Sequence, residues 1–462
     1  MTSPSVTAFD PRLAGAVEPR VSPLRGYWRH SAILAVLLTA VVGARAHELI
    51  PILPKVRPAL VMAAVGGFLA LTSTSPAVRR TALGDPLFKL PAAYFGWAAL
   101  TAPFALWVGM SIKGLQGAVP ALVACLVILL CEPTQRTVER LQRGFVLGCA
   151  LTAVLAQTRG YSTDGRLTTG ASLDSNDLAA VMALVVPLCA GLVARARNVM
   201  KLLWGGVLAT LIGTLVMTGS RGGVIAIVVS TAVYVAGQPG RRRVLYALGA
   251  VLAATTAYSM GSATFKERMT SFFVEGQQDY NYTDWTGRRA VWQRARGYFV
   301  QSPVIGVGFQ NFPVAEGETC KRMFPGRGCK WSDTHNAYLQ AASELGLPGI
   351  GLFVAMLVAG ARRAFPMWRS SAARAGRGAM HRPEFLAAMS GFAASATFLS
   401  HAYFYLMFAL LALIALASRT AARVSAPVAY APGEPPVPVR RGVRGGGSFA
   451  PGFRGGLARV RA

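Results

Sequence analysis

The sequence predicts an all-α polytopic membrane protein of about twelve transmembrane helices, broken once by a large polar loop that contains short helices. Three observations carry that prediction. Hydrophobic residues make up 53% of the chain and charged residues only 14%, whereas a soluble domain carries roughly 25% charged residues. The apolar residues come in runs of about 15 to 22, and about 20 helical residues cross a 30 Å hydrocarbon layer. Lys and Arg collect between the runs, which is the pattern that orients membrane helices.

The formal net charge of +28 invites a nucleic-acid partner, but the arginines do not gather along one soluble face, so no nucleic acid is expected. Helices rather than an outer-membrane barrel are expected, because alternation at strand length is absent and a helix satisfies its own backbone in lipid.

Taken in order, residues 1–30 form a basic segment without a cleavable signal peptide, since no small-residue cleavage site follows the first apolar run. Spans fall near 31–46, 58–76, 91–110, 116–131, 142–158, 178–194, 201–217, 222–237 and 244–260. The polar loop 261–336 follows, then spans near 338–359, 384–399 and 402–418. Residues 419–462 are a basic tail rich in Pro, Gly and Arg, expected to be disordered. Twelve spans put both termini on one side, and that side holds 30 of the 47 Lys and Arg residues. Of the other 17, 10 lie in the long loop, which counts little toward orientation. The termini are therefore expected to be cytoplasmic and loop 261–336 outward.

Cys125, Cys131, Cys149 and Cys189 fall in spans and read as packing residues. Cys320 and Cys329 lie in the outward loop. An oxidising compartment points to a disulfide between them; a metal site is the alternative, weakened by the missing four-ligand set.

Four outward segments carry polar residues that a passive bundle does not need. The first is Arg166 to Gly170 with Asp174, Ser175, Asn176 and Asp177 at the start of a span. A helix cap explains the Asp and Asn but not Arg166. The second is Ser220-Arg221-Gly222-Gly223, a tight turn between apolar runs. Arg221 either snorkels to headgroups or turns inward toward a phosphate, with the Gly222 and Gly223 amides as a helix-start anion site. The third is Gly287-Arg288 through Trp292, on an amphipathic helix over 288–301 with Val291, Trp292, Ala295 and Phe299 on one face. Alone, it reads as a surface helix lying on the membrane. It runs on to Pro303, Gly306 and Gly308. The fourth is Asp333-Thr334-His335-Asn336 as the chain re-enters the membrane, with Glu344 soon after. His335 is one of five histidines, and a lone interfacial His is more often a helix-terminus residue than a base.

Taken together and in order, Ser220-Arg221-Gly222-Gly223, Gly287-Arg288-x-x-x-Trp292, Pro303-x-x-Gly306-x-Gly308 and His335-Asn336-x-Tyr338-Leu339 resemble the O-antigen ligase and polymerase superfamily over roughly residues 160–360. That resemblance implies a bacterial inner-membrane enzyme with its active site on the periplasmic face. It implies transfer, without metal or cofactor, of a glycan from an undecaprenyl-diphosphate carrier to a sugar hydroxyl. In a ligase the acceptor is lipid A-core; in a polymerase it is a growing glycan. The roles it implies are His335 as general base, supported by Asn336 or Asp333, and Arg221, Arg288 and Arg166 on the diphosphate with Gly222. Asn176 is a supporting residue. Attack with one base predicts inversion at the anomeric carbon, and no paired carboxylates of the glycosidase kind are evident. A transporter or flippase would call for internal repeats and mid-membrane ionisable residues, which the sequence does not show. A structural scaffold leaves the Arg and His motifs unexplained.

Overall fold

The computed structural model describes residues 25–36, 58–169, 173–270, 284–370 and 380–425, apart from 35, 164, 327 and 330. Most of the expected first span at 31–46, most of segment 1–30, Gly170, loop residues 271–283, residues 371–379 and the tail from 426 lie outside the described residues. The described residues belong to one unit, Ser22–Ala426.

Capping side chains and prolines set most helix starts. In chain order come α1 (Pro58–Ser73), α2 (Pro76–Leu83), α3 (Pro86–Thr101), α4 (Val108–Leu130) and α5 (Gln135–Arg159). Then follow a two-stranded antiparallel hairpin, β1 (Tyr161–Thr163) and β2 (Arg166–Thr168), and α6 (Ser175–Arg195), α7 (Asn198–Thr218), α8 (Arg221–Ala236) and α9 (Gly240–Met260). The loop region holds α10 (Ala263–Thr270), α11 (Arg288–Gln301) and α12 (Phe312–Met323), and α13 (Ala337–Arg369), α14 (Pro383–Ser395) and α15 (Tyr405–Ser425) close the chain. Ser75, Asp85, Thr134, Asp174, Ser220 and Asn336 each accept a backbone N–H in the first turn they precede, satisfying donors that a helix start leaves open.

Among the described residues, five helices are long and apolar enough to cross a membrane: α4, α6, α7, α13 and α15. A sixth is obtained if α9 and α10, bent by 118°, are one span. The expectation of about twelve is larger because several apolar runs form short helices. α1, α3 and α8 have 16 residues each and α14 has 13, less than the roughly 20 that span 30 Å.

The core is built around α6 and α15, each buried around most of its circumference, as expected of a helix that is apolar on all sides. α6 packs on α5, α7, α8 and α14; α15 packs on α3, α4 and α13. By contrast α9 buries no residue, and its exposed Val244, Leu248 and Leu252 suit lipid contact. The four cysteines assigned to spans are free and buried.

One end of the bundle is tied by charge. Arg195, at the C-terminus of α6, pairs with buried Glu384 at 2.7 Å, and Arg382 reaches Glu139 at 3.2 Å. Arg419 of α15 holds Asp85 at 2.8 Å. These arginines were counted above as orientation charges; buried partners give them a packing role too. The N-termini of α6, α8 and α13 lie at the other end, where the polar motifs converge.

Helix α11 is not an isolated surface helix. It packs on α13 and shares with α12 a small core of Val291, Ala295, Tyr298, Phe312 and Ala315. Beside this core Arg294 grips buried Glu316 at 2.9 and 3.0 Å and lies 3.9 Å over the Trp285 ring. Tyr298 donates to Ala315 O at 3.1 Å, and burial pushes its hydroxyl up to about 12. Cys320 and Cys329 are joined as a disulfide, with Cα atoms 5.8 Å apart.

Candidate active site

The arginine half of the site is assembled on the turn between α7 and α8. Hairpin β1–β2 presents Arg166, whose Nε donates to the Thr218 carbonyl and whose Nη2 donates to Asn176 Oδ1, both at 2.9 Å. The same Asn176 oxygen accepts from Ser220 Oγ at 2.9 Å. Asn176 is thus more than a helix-start residue, because its amide joins the first and second motifs. Arg221 opens α8 immediately after Ser220 and is half-buried.

Gly222 and Gly223 both have a packing role, and the Gly223 N–H serves the helix cap. The Gly223 N–H donates to Ser220 Oγ at 3.2 Å, as part of the cap. A Cβ at Gly223 would lie 2.4 Å from the Ala179 Cβ, and one at Gly222 would lie 3.2 Å from Phe398. The pair of glycines lets α8 close against α6 and the α14–α15 connection.

Sequence reasoning did not single out Arg268. From α10 its Nε donates to the Gly219 carbonyl at 2.8 Å, one residue beyond the carbonyl held by Arg166. A Cβ at Gly219 would stand 3.5 Å from Arg268 Cδ and 3.7 Å from Arg166 Cγ, so the two side chains run side by side. A cation at a helix C-terminus is common. Here two guanidiniums anchor on successive carbonyls of one turn, and a third arginine begins the next helix. In the sequence Arg268 stands alone, without a motif to mark it.

The histidine half is a stretch of backbone pinned from two directions. The Trp292 indole of α11 donates to the Thr334 carbonyl at 3.0 Å. The His335 N–H donates to Ser400 Oγ at 2.8 Å and Asn336 Nδ2 to the Thr397 carbonyl at 3.1 Å. The Ala337 N–H donates to the Ala396 carbonyl at 2.7 Å. His335 itself has φ +49, a left-handed conformation costing a non-glycine residue of order 1–3 kcal/mol and sustained where surroundings over-determine it. Asn336 caps α13 through Leu339 N–H at 3.0 Å. Asp333 is exposed and His335 half-buried.

Glu344, which follows the fourth segment, has both carboxylate oxygens committed. Its Oε1 accepts from the Phe312 N–H at 3.1 Å, and its Oε2 accepts from the Gln310 N–H and the Tyr403 hydroxyl, both at 2.7 Å. It is a buried staple for the loop after α11. The Pro303–Gly308 motif has the same job. Val307 and Gly308 N–H groups donate to Ser343 and Glu344 carbonyls at 2.8 and 3.0 Å, and the Leu347 N–H returns to Pro303 O at 2.7 Å. Arg288 is the first residue of α11 and is half-buried; its helix is tied to the histidine segment by the Trp292 bond to Thr334.

The two halves meet through the α14–α15 connection, which touches Gly222 through Phe398 and His335 through Ser400. A further link, again not read from the sequence, is His401 Nε2 to Asp177 Oδ1 at 2.8 Å.

Residues 206–354 match the family described as O-Antigen ligase. No curated protein matches the chain. The matched stretch contains Arg221, Arg268, Arg288 and His335, while Arg166, Asn176, Asp177 and His401 lie outside it. The match spans 149 of the 462 residues and marks this part of the chain as similar to that family.

Proposed function

We propose that this protein is a ligase that moves a glycan from undecaprenyl diphosphate to a hydroxyl of lipid A-core at the periplasmic face of the inner membrane. In this reading both termini are cytoplasmic, and the shorter apolar helices complete a bundle of about twelve crossings, some tilted or paired. The observation that carries it is the meeting at one bundle end of an arginine-rich turn and a histidine whose backbone is held from both sides.

In the reaction, the acceptor oxygen attacks the anomeric carbon from the face opposite the diphosphate. The new glycosidic C–O bond forms as the C–O bond to diphosphate breaks, inverting the centre. His335 takes the hydroxyl proton as general base. Undecaprenyl diphosphate leaves with the bonding electron pair, and Arg166, Arg221, Arg268 and Arg288 offset its growing charge. Fixed guanidinium groups are suited to that task because they are already oriented when charge develops. Asn176 supports Arg166, and Asn336 supports the His335 backbone.

Transfer assayed in purified form with a defined undecaprenyl-diphosphate glycan tests the proposal directly. Product on lipid A-core supports the ligase; product only on a second glycan chain assigns the polymerase reaction instead. In cells, loss of a ligase leaves lipid-linked polymer, whereas loss of a polymerase leaves single repeat units. No transfer to either acceptor by folded protein removes the proposal.

Three substitutions follow. Arg221→Lys and Arg288→Lys each keep the charge but lose the two-pronged donor geometry, and turnover should fall by about 10-fold or more. Full activity in both would leave them as membrane anchors. Arg268→Ala should raise the donor KM by about 10-fold, the order of one charge-assisted bond, with little change for the acceptor.

A further inference from the structure

We infer that His401 and Asp177 form a strut that sets the spacing between the arginine and histidine halves of the site, making His401 a positioning residue for transfer. The inference rests on the reading above that both halves act on one substrate.

The bond lies where such a strut must lie. Asp177 is in the first turn of α6, adjacent to Asn176, whose side chain holds Arg166 and Ser220. His401 is adjacent to Ser400, whose hydroxyl holds the His335 N–H. A single 2.8 Å contact, with one residue on either side, therefore joins the two clusters across 224 positions of chain.

The ring's surroundings fix its direction. His401 is 5% exposed. It stacks on Phe404 at 4.2 Å and 6° between planes, with Phe392 stacked at 6.4 Å and 9°. Its Nδ1 is buried without a hydrogen-bond partner. That favours the tautomer with the proton on Nε2, donated to Asp177, because a protonated Nδ1 would leave a buried donor unpaired. Enclosed by rings, Nδ1 has no path to a substrate hydroxyl, so the pair positions rather than transfers protons.

Packing alone does not explain a polar pair here. Phe and Leu in place of His401 and Asp177 together would fill the space without the cost of burying a polar pair, and such paired replacements are often neutral or stabilising. What the polar pair adds is a defined direction and distance.

The test compares His401→Phe, His401→Gln, Asp177→Leu and the Phe/Leu double variant in the purified full-length enzyme. His401→Phe should lower kcat by about 10- to 100-fold, the effect of an ångström-scale misplacement, with donor KM and melting temperature little changed. His401→Gln, whose amide N–H can reach Asp177, should restore kcat to within about 5-fold of the wild type. Asp177→Leu should lower kcat at least as far as His401→Phe, and the double variant should be no slower than Asp177→Leu alone, because the His401 contact is already gone in that background. His401→Phe at wild-type kcat overturns the strut; so does a rise in donor KM with unchanged kcat, or a loss that Gln does not restore in folded protein. His335→Ala separates the two levels. An inactive His335→Ala beside an unaffected His401→Phe removes the strut and leaves the function standing. Wild-type rates in both remove the function as well.

Discussion

His335→Ala should reduce glycan transfer by about 10²- to 10⁴-fold, the range a positioned general base supplies. The acceptor hydroxyl cannot lose its proton unaided at neutral pH, and imidazole is the side chain whose ordinary pKa suits that role. The backbone supports the assignment independently. His335 is held at φ +49 by Ser400 on one side and by Trp292 through Thr334 on the other. Strain maintained by two different elements is more readily explained by a requirement for the side chain's position than by helix capping, which Asn336 already performs. His335→Asn provides the control for the backbone. Asn tolerates the left-handed region well but cannot act as the base, so it should be as inactive as Ala with a native melting curve. Transfer near the wild-type rate by either variant, with equal protein in the membrane, would take His335 out of the mechanism.

The helical plan was legible because lipid demands long apolar runs, and each expected span within the described residues overlaps a helix. The number of crossings was less legible, since hydropathy alone does not tell a spanning helix from a short helix buried among neighbours. Within the site, Arg166, Arg221 and His335 stood out as charge or imidazole at membrane edges. The contacts that unite them did not. Asn176 read as a cap, yet it also bridges Arg166 and Ser220. Arg268 carries no motif, and its proximity to Arg166 depends on how α10 folds back. The Asp177–His401 contact joins residues too far apart for any local pattern to reveal. The contacts of Glu344 were equally hidden: its oxygens accept from two backbone amides and the Tyr403 hydroxyl.

Gly346→Ala should be nearly as damaging as loss of His335, although Gly346 touches no substrate in the proposed reaction. Its φ of 67 and ψ of −162 fall in a region essentially restricted to glycine. A Cβ there would lie 2.1 Å from the Val304 carbonyl oxygen, a clash relieved only by moving backbone. That backbone is the loop that docks on α13. Pro303 O receives the Leu347 N–H and the Val307 N–H reaches Ser343 O, while the Leu345 carbonyl at the kink accepts from the Trp97 indole at 2.9 Å. Separating these contacts would release α11, and with it Arg288 and the Trp292 bond that steadies Thr334 beside His335. The expected result is a loss of transfer of about 100-fold or more, with faster proteolysis within 303–312, because misplacing a catalytic group by an ångström can cost that much. Gly351→Ala, on the same helix with open space around its Cβ, should be neutral or stabilise by up to about 1 kcal/mol. If Gly346→Ala protein is as active and as protease-resistant as Gly351→Ala, the loop does not need its dock on α13. Arg288 and His335 would then have to be held by other contacts.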